Sequence, residues 1–204
     1  MKIGKIFYGI IVFMFIGIMT GCSTTNVQRV EIEETIDLSG RWNDSDSRLV
    51  SQEMIEDCLN RPWLPYFEAK NNRLPVVIVG PVKNKSHDHV NTEVFTKSLE
   101  RTLINSGKVK FVASRDERLD VRSERIDQNE DGFTDPETIK KIGKEIGADF
   151  MLIGSINSVK DEIKGKYVIM YQTNLELIDL LTNEKVWIGQ KPLKKVVKKS
   201  KFSL

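Results

Sequence analysis

Histidine and cysteine are scarce in this chain, with two of each among 204 residues. Two cysteines, Cys22 and Cys58, cannot supply the disulfide framework of a small secreted scaffold. His87 and His89 sit in one loop and would hold a metal only with carboxylate help, Asp88 being adjacent. No other metal-spaced set occurs, and no nucleophile–base set of the kind hydrolases carry, so the sequence implies no enzyme and no cofactor. Charge of one sign is not in excess either. The formal charge is +2, and without Lys2 and Lys5 acids and bases balance, which argues against a general nucleic-acid binder. Apolar and charged fractions of 40% and 29% are those of a globular protein. The one long apolar run, IFYGIIVFMFIGIMTGC from Ile6 to Cys22, is too short for a comfortable membrane span of ~20 residues.

That run has the order of a secretory signal: a short basic start, an apolar core, then small residues before a cut. Met19-Thr20-Gly21-Cys22 resembles the lipobox of bacterial lipoproteins. The resemblance implies that residues 1–21 are removed and that the Cys22 thiol is joined to diacylglycerol. Each buried acyl methylene contributes roughly 0.8 kcal/mol, so two or three chains hold a protein firmly on a membrane. Ser23, rather than Asp, implies outer-membrane sorting by the rule of enteric bacteria. Cys58 then remains as a lone thiol, reading as a small buried apolar residue in a helix. Residues 22–36 are polar and acidic, without Pro or Gly. This linker of roughly 15 residues reaches about 50 Å at ~3.3 Å each.

A folded domain is expected over 37–192, and a basic tail over 193–204. Asp37 to Asp44 is turn-rich. Ser45, Asp46 or Ser47 can cap a helix whose apolar face is Leu49, Val50, Met54, Cys58 and Leu59, closed by Pro62. Trp42 and Trp63 lie just outside its ends, either as core plugs or as aromatic anchors for a partner. Pro75 to Gly80 reads as a buried strand. Asn91 caps a second helix, with Val94, Phe95, Leu99 and Leu103 inward and Gly107 past its end. Val109 to Ala113 is a strand, and Ser114 with Glu117 forms a capping box opening a charged helix. Thr134 and Glu137 form another box, for a helix burying Ile139, Ile142 and Ile146. Asp149 to Ile156, Tyr167 to Leu177 and Val186 to Ile188 are strands, the last two joined by a turn at Thr182-Asn183-Glu184. Helices between early strands, then a meander, imply an α/β (α+β) fold: a mixed sheet of four to five strands flanked by helices.

The segments DLSGRWNDSDSRLV (37–50), RPWL (61–64), PVVIVGPVKNKSHDHVNT (75–92), SGKVKFVASRDERLDVRSER (106–125), IGADFMLIGSINS (146–158) and YQTNLELIDL (171–180) resemble the penicillin-binding-protein activator LpoB family. The resemblance spans roughly Asp37 to Lys195. It implies a domain similar to the N-terminal domain of TolB. It implies an outer-membrane lipoprotein that docks on the periplasmic regulatory domain of a class A penicillin-binding protein and stimulates this peptidoglycan synthase, doing no chemistry itself. The enteric activators carry a long Pro-rich linker and this chain does not. A short tether also suits a second reading, an envelope adaptor whose partner lies on its own membrane.

Arg115, Arg118, Arg122 and Arg125 recur at steps of three, four and three, so they share one helix face. No acid of the same helix stands three or four residues from any of them. The stripe is either a solvated charged surface or a dock for an acidic partner, for which Arg is favoured. Asp127 to Asp135 matches the first half of a calcium loop but has Thr138 where a bidentate Glu belongs. Gly80 to Ser86 ends in Lys-Ser like a phosphate loop, but Pro81 removes an N–H that the cradle needs. The tail from Lys191 holds six lysines and no acid, suited to anionic lipid or polymer or to keeping an edge strand soluble. The lipobox is testable on its own: metabolic labelling with palmitate should mark the wild-type chain and leave Cys22→Ala unmarked, and equal labelling of both would exclude Cys22.

Overall fold

The structure is a computed structural model, and it describes residues 30, 31, 34, 37, 39–130, 132, 134–138, 145–163 and 166–198. The chain divides into two units, Met1–Glu34 and Thr35–Leu204. In the first unit, Val30, Glu31 and Glu34 are described and all are exposed. The second unit is the α+β domain.

Its first helix, α1 (Asp44–Leu59), begins earlier than expected. Asn43 is the N-cap: its side chain accepts the Asp46 N–H at 3.0 Å, and the Asp46 carboxylate accepts the Asn43 N–H at 2.9 Å. This reciprocal box satisfies two donors that a helix start leaves open. Val50, Met54, Cys58 and Leu59 face inward, while Leu49 is exposed. A second helix, α2 (Trp63–Asn71), was not expected. Pro65 falls in its first turn, where the missing N–H would have had no partner in any case, and Asn72 ends it in a left-handed conformation.

Strand β1 (Val76–Lys85) runs past Gly80, where the sequence suggested a stop. Its register against the neighbouring strand shifts between Val79 and Val82, so Pro81 sits at a bulge, which is where a ladder tolerates proline. Gly80 is required there, because a Cβ would lie 2.9 Å from Ile153 Cγ2. Helix α3 (Thr92–Asn105) is capped by Asn91 as expected, and buries Phe95, Leu99 and Leu103 but not Val94. Strand β2 is reduced to Lys110–Phe111. Helix α4 (Arg115–Glu130) opens at the expected Ser114–Glu117 box. Of the helix expected between the Thr134–Glu137 box and Gly147, Ile139 and Ile142 lie outside the described residues. Residues 145–148 are not helical, and Ile146 is exposed rather than buried.

Three long strands complete the domain: β3 (Phe150–Ile163), β4 (Lys166–Asp179) and β5 (Lys185–Lys198). The sheet order is β2-β1-β3-β4-β5. The first three are parallel and the last three form an antiparallel meander. The fold is therefore the mixed five-stranded α+β arrangement expected. Strand β5 runs well into the stretch read as tail.

Helices α1 and α3 pack on each other and on one sheet face, α1 over β5 and α3 over β1. The alternation read from the sequence holds: Ile169, Tyr171, Leu175 and Leu177 are buried on that face, joined by Thr173. Each such apolar side chain, fully buried, contributes roughly 1.5–3 kcal/mol. On the opposite face Val159, Ile188 and Val196 are exposed.

The segment from Asp37 to Trp42 straps across the β4–β5 end of this core. Lys195 of β5, 8% exposed, places its ammonium 2.6 Å from Asp37, 2.5 Å from Asp46 and 3.1 Å from the Arg41 carbonyl. Tyr167 donates its hydroxyl to the Ser39 carbonyl. Gly40 has φ +70°, and a Cβ there would collide with Val197. Removing one partner of a buried, hydrogen-bonded ion pair leaves the other charge stranded, which costs about 3–5 kcal/mol. Lys195→Met should therefore lower the unfolding free energy in urea by about 3 kcal/mol. Lys194→Met, at an exposed neighbour, should change it by less than about 0.5 kcal/mol.

Candidate functional site

Cys22 lies outside the described residues. The four arginines do fall together, on α4. None of the sixteen residues of α4 is buried. The helix is held at its start by Lys97 of α3, whose ammonium lies 2.5 Å from Glu117 and 2.8 Å from Glu100. That contact and the Ser114 N–H hold the Glu117 carboxyl down at about 2. Farther along, Glu145 accepts a two-pronged pair from Arg122, at 2.9 Å from Nε and 2.8 Å from Nη2. Arg125 lies 3.7 Å from the same carboxylate. The stripe is thus partly neutralised from outside its own helix, which spacing within the helix could not reveal. Arg115 is exposed and Arg118 half-buried.

Three apolar residues of α4 are exposed among these charges: Leu119 at 53%, Val121 at 43% and Ile126 at 43%. Leu119 and Ile126 stand four residues after Arg115 and Arg122, so they share the arginine stripe. Guanidinium groups beside exposed apolar side chains are a combination found both on solvated helices and at interfaces. The seven-residue spacing of Leu119 and Ile126 was visible in the sequence but was masked by the surrounding charge.

Trp42 is half-buried. Its ring meets Phe95 and Tyr171 edge-on at 5.9 and 5.5 Å, and its Nε1–H donates to Ser47 Oγ at 2.7 Å. Its backbone N–H donates to the Tyr171 hydroxyl at 3.1 Å, which itself donates to Asp88. This is the plugging arrangement. Trp63 is likewise buried, edge-on to Phe150 at 5.1 Å.

The weaker candidates resolve locally. His87 meets Ser158 Oγ at 2.9 Å, and Asp88 is engaged by Tyr171. Asp127 and Asn129 lie in the last turns of α4, not in a loop, so the first two calcium positions cannot wrap an ion. Asn129 donates instead to the Arg125 carbonyl at 2.6 Å. Gly80 to Lys85 is strand, so no phosphate cradle forms there. In the basic tail, Lys191 pairs with Glu53 and Lys195 is buried in the strap. Among the described residues no group of three His, Cys, Asp or Glu side chains is placed to hold a metal.

The class defined by these observations is a small mixed-sheet α+β domain with a peripheral helix, α4, that presents arginine and apolar side chains. A family model described as "Peptidoglycan-synthase activator LpoB" matches residues 46–193, and the chain belongs to that family. Among solved structures, the C-terminal domain of LpoB from Salmonella enterica is 19% identical, with a TM-score of 0.33, covering 65% of this chain and 93% of that one. Escherichia coli LpoB in solution is 15% identical with a TM-score of 0.41, covering 89% and 84%. A lipoprotein from Neisseria meningitidis is 15% identical with a TM-score of 0.37, covering 60% and 83%. No curated protein matches the chain.

Cys58 offers a direct check on the core around α1. It is 1% exposed, and burial pushes its thiol up to about 12. Iodoacetamide at pH 7.5 should leave Cys58 unmodified in the folded chain and label it fully in 6 M guanidinium. Rapid labelling of the folded chain would remove the buried-thiol assignment.

Proposed function

We propose that this chain is an envelope lipoprotein that binds and stimulates a class A penicillin-binding protein, with α4 as its docking element. Membership in the peptidoglycan-synthase activator family supports the general role. The lipobox at Cys22 supports anchoring, with Ser23 favouring the outer membrane and the domain facing the periplasm. The observation that carries the docking assignment is the exposed stripe of Arg115, Leu119, Arg122 and Ile126 on a helix with no buried residue. The partner surface would be acidic, on the regulatory domain of the synthase, and Arg118 and Arg125 would widen the contact. Trp42 would act from behind, fixing the strap and the Asp88–Tyr171 contact rather than entering the interface. The activity belongs to the synthase, and this chain supplies none of the reacting groups.

A second reading is supported by the tether, which reaches only about 50 Å when extended. In it the same domain is an adaptor for a partner on its own membrane. A pull-down from solubilised envelopes separates the two. The wild-type chain should recover a class A penicillin-binding protein, and an Arg118→Glu/Arg122→Glu variant should recover at most a tenth as much. Equal recovery by both would move the docking site away from α4. Recovery of other envelope proteins and no synthase, from material shown to contain one, would favour the adaptor.

A further inference from the structure

Helices α1 and α3 leave an open groove of about 600 Å³ along their solvent edge, within the size range of ligand sites. Three cations line it, Arg48 from α1, Arg101 from α3 and Lys108 just beyond α3. Glu56 is the single carboxylate in the lining. Among the described residues neither Arg48 nor Arg101 has a side-chain hydrogen bond or ion pair, in contrast to Arg122. Gln52 and Asn105 add two side-chain amides, each able to donate and accept. Lys108 reaches Asn60 Oδ1 at 3.3 Å, a contact that lies within the groove lining itself. The groove is formed by helices other than α4, which carries the arginine stripe.

We propose that this groove binds an acidic, extended peptide segment of a partner protein. Guanidinium groups from facing helices recognise carboxylates as paired donors. The amides match the alternating C=O and N–H groups of an extended backbone. Glu56 favours a peptide over a phosphate polymer, because a peptide backbone would offer it N–H donors that a phosphodiester backbone lacks. The inference does not depend on α4 or on the identity of the synthase.

The test uses the full chain in detergent and two probes, fluorescent hexaglutamate and fluorescent hexathymidylate. Wild type should bind hexaglutamate saturably and release it as salt rises to 0.5 M. Arg48→Gln/Arg101→Gln should weaken binding at least tenfold, and Arg118→Gln/Arg122→Gln should change it less than twofold. In isotope-labelled wild type, backbone amide shifts around Gln52 and Asn105 should move on titration, a readout that needs no variant to fold. Absence of saturable hexaglutamate binding at millimolar concentration would overturn the proposal. So would equal weakening by both double variants, or shifts confined to α4. Equal or tighter binding of hexathymidylate would replace the peptide by a phosphate polymer.

Discussion

The buried ammonium of Lys195 is the contact on which the arrangement of this domain depends. An ammonium taken out of water costs several kcal/mol unless charges and acceptors surround it. Here those groups come from three places: Asp37 in the strap, Asp46 in the first turn of α1, and the Arg41 carbonyl between them. Asp46 also closes the capping box with Asn43. One charge on β5 therefore sets where α1 starts, and α1 in turn covers the sheet face that holds Tyr171, Leu175 and Leu177. Trp42, the last residue of the strap, is brought onto Phe95 and Tyr171 by the same anchor.

Helix α4 is built on the opposite principle. It has no buried side chain, and its described ion pairs to the rest of the domain include Lys97–Glu117 at its start and Arg122–Glu145 near its middle. Exposed ion pairs contribute at most about 1 kcal/mol each. A helix held this way opens and repacks more readily than α1 or α3, which suits a surface that exchanges solvent for a partner. The domain thus combines a rigid core, set by one desolvated charge, with a peripheral helix whose contacts are inexpensive to rearrange.

Much of this organisation was legible in the residues. Alternation in Tyr167 to Leu177, the Asn91 cap, the Ser114–Glu117 box and the Asn183 turn each have a local cause and appeared where that cause placed them. What escaped reading was non-local. Lys195 looked like one lysine of a basic tail, because its two carboxylates lie about 150 residues away. Gly80-Pro81 looked like a strand end, because nothing local indicates that a bulge continues it. Helix α2 was missed because Pro65 is a breaker except in a first turn, and nine residues give too little periodicity to overrule it. The arginine stripe was legible as a face, but its neutralisation by Glu145 and its apolar companions were not. Ile146 was expected to be buried because a helix was extended to Gly147, and the chain is not helical there.

The strap also imposes an order of events on folding. Its partners are separated by 149 residues for Asp46–Lys195, 158 for Asp37–Lys195 and 129 for Trp42–Tyr171. Contacts of such long sequence range close large loops, and the entropy of that closure opposes them before the contact is made. The first turn of α1 is therefore left without its buried counter-charge until the last strand is in hand. During synthesis, the N-terminal half cannot lock ahead of the C-terminal half.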